Sequence, residues 1–193
     1  PSADSTFSFP DGVSRMANRD FADLLQSQIV EDLGRLYDPA WNRRMLMDAD
    51  YSEAMRPQVP CALLELLSHQ NFLDMKFALD PRFRFDTARA IYKAMLRFIA
   101  FQNRSSYVVQ PLPVDHFQAL LSAPGEAILQ WQPVADALEP TAAPEGYIVY
   151  TRREEGGFDN GVRVDEPRLV VQGIEPGVLY SFKVTACNAG GES

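Results

Sequence analysis

The sequence predicts two modules in series: an α/β unit of the order helix, buried strand, helix, followed by an all-β sandwich. Three observations carry this expectation. Apolar residues recur at helix spacing on both sides of a short apolar run at residues 61–64. That run follows Pro60, which is compatible with the opening of a strand but not with its middle. From about residue 107 the texture changes to short apolar stretches separated by Pro and Gly, the pattern of consecutive strands and turns.

The first helix rests on Phe21, Leu24, Leu25, Ile29, Leu33 and Leu36, with Ser14 or Asn18 as its cap. The strand is read in Val59-Pro60-Cys61-Ala62-Leu63-Leu64-Glu65-Leu66, where the run from Cys61 is too short and too apolar for an amphipathic surface helix. Glu65 then falls at the strand's carboxyl end, the edge at which open α/β sheets bind ligands. Read without its neighbours, the same glutamate only marks the end of a core strand. The second helix begins after Asp80-Pro81, repeats apolar residues at Phe85, Ala88, Ile91, Tyr92, Met95 and Ile99, and stops at Asn103-Arg104-Ser105-Ser106.

Pro111 and Pro113 read as a stiff linker into the second module. Beyond them come apolar stretches at 117–121, 128–131, 147–150, 169–171 and 180–186, divided by Pro124-Gly125 and Gly156-Gly157. Tyr180, Phe182, Val184 and Ala186 alternate and share one face of a strand. Asp159-Asn160-Gly161 reads as a tight turn. Short strands at this spacing indicate a sandwich.

Composition narrows the functions available. A net charge of -8 and the lack of a basic cluster larger than Arg152-Arg153 argue against a nucleic-acid surface. No apolar run is long enough to span a membrane. Cys61 and Cys187 do not make a disulfide framework and read as small buried hydrophobes. Only two histidines occur, His69 and His116, and a zinc site built from both with Glu65 is disfavoured, since such sites need rigid, supported geometry.

Residues 1–105 resemble the carboxyl-terminal part of the zinc-dependent N-acetylmuramoyl-L-alanine amidases that cleave peptidoglycan. Pro60, Leu63 and Glu65 match that family's Pro-x-x-Leu-x-Glu strand, Asn71 follows six residues on, and Ala88 with Ile91 matches its closing helix. The family's Gly-Phe-Leu-Ser is replaced here by Leu67-Ser68-His69-Gln70, a departure that bears on substrate specificity. The resemblance implies hydrolysis of the amide between N-acetylmuramic acid and L-alanine, with zinc as cofactor and Glu65 as general base. It places His69 and Asn71 at the substrate, expects the zinc ligands upstream of this segment, and puts the protein outside the cytoplasm, secreted, periplasmic or in the envelope. Its partner would be peptidoglycan or another envelope glycan. Two alternatives stand beside it: a non-catalytic envelope scaffold, and a polysaccharide-active enzyme of the kind labelled xanthan lyase.

Residues 114–193, after a linker at 106–113, resemble a fibronectin type III domain, an immunoglobulin-like sandwich. Trp131 matches the core tryptophan of its second strand, and Tyr147 with Val149 its third. Ile174, Pro176, Gly177 and Tyr180 match the turn into its tyrosine corner. The resemblance implies a structural role for Tyr180 and Trp131, and a spacer or a protein or carbohydrate contact for the module. The last strand is expected to be missing, and the chain is expected to belong to a longer one at both ends.

Overall fold

The computed structural model describes residues 7–193, which divide into two compact units, Pro1–Ser106 and Tyr107–Ser193. The first is helical. A turn closed by the Phe9 amide on the Val13 carbonyl at 2.8 Å leads into α1, Ala17–Leu36. The Ser14 hydroxyl accepts from the Met16 amide at 3.2 Å just before α1, whereas Asn18 lies buried inside the helix. Three further helices follow: α2 (Ser52–Met55), α3 (Phe72–Leu79) and α4 (Pro81–Asn103). Asp80 caps α4 by accepting from the Arg82 amide at 2.8 Å, and Pro81 occupies the first turn, where a missing N–H costs nothing. Arg104, at a φ of 52°, ends α4 in the left-handed conformation, and the helix stops within 103–106 as the sequence led one to expect.

Leu25, Ile29 and Leu33 of α1 pack against Phe83, Ala90 and Ala94 of α4. Tyr37, Trp41, Phe77 and Phe83 close one end of this core with ring centroids 5.1–5.9 Å apart. The sequence identified α4 correctly as a helix but placed most of its apolar stripe on the wrong face, with Ile91 packing on the core as expected. Phe85, Ala88, Met95 and Ile99 are exposed, and the buried stripe runs through Phe83, Thr87, Ala90, Ala94 and Phe98. The helix is apolar on both sides, so periodicity alone selects neither.

The strand expected at 61–64 does not form, and the described part of this unit is helical, not α/β. A strand exists through pairing, and among the described residues this segment pairs with no other. Ala62, Leu66 and Leu67 still pack on the α1–α4 core. The Cys61 amide donates to Asn18 Oδ1 at 3.0 Å, which pins the segment to α1.

The second unit is a sandwich of seven strands: β1 (Asp115–Ala123), β2 (Glu126–Gln132), β3 (Gly146–Arg153), β4 (Val162–Val164), β5 (Arg168–Gln172), β6 (Tyr180–Asn188) and β7 (Gly191–Glu192). One sheet has the order β1-β2-β5 and the other β4-β3-β6-β7, with neighbouring strands antiparallel throughout. Ala127, Leu129 and Trp131 alternate inward along β2, and the register sets Leu129 opposite Leu169. Within the other sheet, Tyr147 of β3 pairs with Ala186 of β6 and Val149 with Val184. Trp131 and Tyr147 meet edge to face between the sheets, 5.3 Å between centroids. All the expected core residues, Trp131, Tyr147, Val149, Leu169, Phe182 and Val184, belong to this cluster.

Two expectations for this unit change. The segment 106–113, read as a stiff linker, also packs on the sandwich, because Val109 is fully buried and its carbonyl accepts from Asn188 Nδ2 at 2.9 Å. Gly190 makes room for it: a Cβ there would lie 2.5 Å from the Val108 carbonyl oxygen. The final strand is also begun, as β7 pairs Glu192 with Cys187 and Gly191 with Asn188.

Candidate functional site

Glu65 lies on the irregular segment that covers the α1–α4 core, between exposed Leu64 and half-buried Leu66. Its carboxylate is exposed and makes no hydrogen bond or ion pair among the described residues. His69 is exposed too, in a turn where the Ser68 amide donates to Asp74 Oδ2 at 2.9 Å and the Gln70 amide to Ser68 Oγ at 3.3 Å. Asn71 has a defined task. Its Oδ1 accepts from the Leu73 amide at 2.9 Å and the Asp74 amide at 3.5 Å, capping α3.

Glu65, His69 and Asn71 therefore lie within one short stretch of chain, yet no hydrogen bond links them among the described residues. The Asn71 cap was legible in retrospect, since Asn71 with Asp74 three residues later is a helix-start signature. Asn18, read from the sequence only as a cap, has a different role: buried in α1, it accepts from the Cys61 amide and holds the segment leading to Glu65.

Zinc does not fit what is present. No group of three His, Cys, Asp or Glu side chains close enough to hold a metal occurs among the described residues. His116 belongs to the other unit, where its Nδ1 lies 3.2 Å from Asp115 Oδ2. Cys61 is no substitute ligand, because burial pushes its thiol pKa up and its Sγ donates to the Ala54 carbonyl at 3.3 Å.

In the sandwich the Tyr180 hydroxyl donates to the Gly173 carbonyl at 3.5 Å and accepts from the Glu175 amide at 3.4 Å. This is a tyrosine corner with long bonds, and it gives Tyr180 a structural role. Trp131 is only 4 % exposed, so it offers no flat platform for a sugar. No helix among the described residues is long and apolar enough to cross a membrane.

Strand order, corner and core together define an immunoglobulin-like sandwich, and residues 113–193 match the family model of the fibronectin type III domain. That part of the chain is a fibronectin type III domain. Similar solved structures include the FN1–FN3 domains of chicken CNTN1 (17 % identity, TM-score 0.39), which cover 46 % of this chain and 30 % of their own. Domains from titin match at 21 % identity and TM-score 0.38, covering 44 % of this chain and 28 % of theirs. The twitchin kinase region from C. elegans matches at 22 % identity and TM-score 0.38, covering 44 % and 15 %. The chain thus spans less than a third of each of these proteins.

Proposed function

We propose that the helical unit is part of an amidase-like domain and that the protein serves as a cell-envelope hydrolase acting on the amide between N-acetylmuramic acid and L-alanine. The fibronectin type III domain is then an accessory module that spaces the enzyme or docks it to a protein or glycan of the envelope. One observation supports this reading best: the Glu65 carboxylate, on a segment anchored to the helical core, stands in solvent with no partner among the described residues. A carboxylate that no structural bond occupies is free to accept a proton from a water attacking an amide carbonyl. The described residues do not supply a zinc site, so this reading requires ligands from elsewhere in the working enzyme. The test is zinc content and muropeptide release by the full-length protein, alongside its Glu65→Gln variant. Retained zinc with turnover reduced by about 100-fold or more is expected of a lost general base. Near-normal release by the variant removes Glu65 from the mechanism.

A non-catalytic envelope scaffold is the second reading. It draws support from Asn71, whose side-chain oxygen serves the α3 cap, and from the lack of a metal-holding cluster among the described residues. Binding of the full-length protein to peptidoglycan without zinc and without product release favours the scaffold over the hydrolase.

A further inference from the structure

We propose that the Asn160–Gly161 bond is a self-modification site, at which Asn160 converts to aspartate or isoaspartate with the Asp159 carboxylate as the base. Asn160 and Gly161 form the only Asn-Gly pair in the sequence, in the loop between β3 and β4. Asn160 is exposed, and its side-chain amide has no hydrogen-bond partner among the described residues, so it is free to rotate toward the next peptide nitrogen. That nitrogen is already engaged: the Gly161 amide donates to Asp159 Oδ1 at 3.0 Å, within the reach a general base needs. Asp159 is itself held in place. Its Oδ1 also accepts from the Thr151 amide at 3.0 Å, and its own amide donates to the Thr151 carbonyl at 2.9 Å.

The chemistry closes without a cofactor. The Gly161 nitrogen gives its proton to Asp159 Oδ1 and attacks Asn160 Cγ, forming a new N–C bond. The Cγ–Nδ2 bond then breaks, and ammonia leaves with the proton returned by the carboxylate. Water opens the resulting five-membered succinimide at either carbonyl. One opening leaves aspartate, and the other leaves isoaspartate, with the main chain rerouted through the former side chain. Glycine favours the attack because no Cβ shields its nitrogen.

The packing around Gly161 gives the second product a structural consequence. Gly161 has a φ of +76°, and a Cβ there would come within 2.5 Å of Ile148 Cγ2 and 2.8 Å of Tyr150 Cε1. On that side an extra main-chain carbon meets the side chains of Ile148 and Tyr150. The added length therefore strains β4, a three-residue edge strand paired with β3 from Tyr147–Val164 to Val149–Val162 and packed on the core through Val164. Isoaspartate at position 160 loosens this edge of the four-stranded sheet.

The test is to age the whole 193-residue chain in neutral buffer and map position 160 by peptide mass spectrometry and isoaspartyl methyltransferase labelling. A synthetic peptide spanning residues 156–164 runs in parallel. The folded chain is expected to convert at least as fast as the peptide, with faster amide exchange at 162–164 after ageing. Asp159→Ser keeps an oxygen to accept the Gly161 amide but removes the base, and is expected to slow conversion several-fold. Asn160→Ser is expected to abolish it. The proposal is overturned if Asn160 stays intact in the folded chain while the peptide converts, or if Asp159→Ser converts at the parent rate.

Discussion

The Lys93 ammonium of α4 lies 2.7 Å from the Asp32 carboxylate of α1, with only 2 % and 5 % of the two side chains exposed. Around them Gln28 Nε2 donates to Asp32 Oδ1 at 3.1 Å, and an Arg97 N–H donates to Gln28 Oε1 at 2.7 Å. Burial raises the Asp32 pKa above its ordinary value, against the hydrogen bond and charge of Lys93, which lower it. Desolvation thus outweighs attraction, the usual balance for a buried pair.

Removing one partner should therefore be far worse than removing both. Lys93→Met leaves a buried carboxylate uncompensated and is expected to cost about 3–5 kcal/mol. Adding Asp32→Leu should restore most of that loss. Denaturant unfolding of the full chain, followed through its helical signal, checks both. A double variant no more stable than Lys93→Met would show that the pair contributes net stability.

The two faces of α4 make a second contrast. Phe83 is 2 % exposed and touches Tyr37, Trp41 and Phe77, so Phe83→Ala is expected to cost about 3–5 kcal/mol. Phe85, two residues on, is 48 % exposed, and Phe85→Ala should change stability by no more than about 0.5 kcal/mol. Equal losses in thermal or denaturant unfolding would mean that the outer stripe is covered in solution.

This contrast marks where the sequence was legible and where it was not. Helix ends came through clearly, because Asp80-Pro81 and the residues after Asn103 act locally on the backbone. Five of the seven strands, β1, β2, β3, β5 and β6, were legible, since alternation toward a single core leaves one consistent register, as with Leu129, Trp131, Tyr147 and Val149, whereas β4 and β7 are too short to show a pattern. The α4 face was not, because Phe85, Met95 and Ile99 satisfy the helical period as well as Phe83, Ala90 and Ala94 do. The strand before Glu65 failed for a different reason. Its apolar run suits a strand, but pairing depends on a neighbour that local sequence does not contain. The Asn71 cap rests on residues next to it in the chain, although the sequence was read there for a substrate role, whereas the role of Glu65 depends on groups brought from a distance.

Tyr37 gives the helical unit an alkaline limit. Its hydroxyl donates to Asp86 Oδ2 at 2.6 Å, and its pKa is raised, first by burial and then by that bond. A raised folded pKa favours the neutral phenol. The stability it lends is present in full below the ordinary tyrosine value of about 10, and is lost as pH rises through the higher folded value. Unfolding midpoints of the parent should fall in that alkaline window more steeply than those of Tyr37→Phe. Parallel pH profiles would remove Tyr37 from the account.

Tyr180 should matter less than a corner tyrosine with short bonds. Its two hydrogen bonds measure 3.4 and 3.5 Å and lie in an exposed setting, where water competes for both groups. The ring keeps its stacking on Phe182, 6.4 Å between centroids with planes 9° apart, when only the hydroxyl is removed. A well-made intramolecular hydrogen bond contributes about 0.5–1.5 kcal/mol, so Tyr180→Phe is expected at or below the lower end of that range. Tyr180→Ala also removes the ring from beside Phe182 and should cost clearly more. Thermal unfolding of the two variants separates hydroxyl from ring, and a loss of about 2 kcal/mol or more in Tyr180→Phe would show that the corner bonds are tighter in solution than these distances imply.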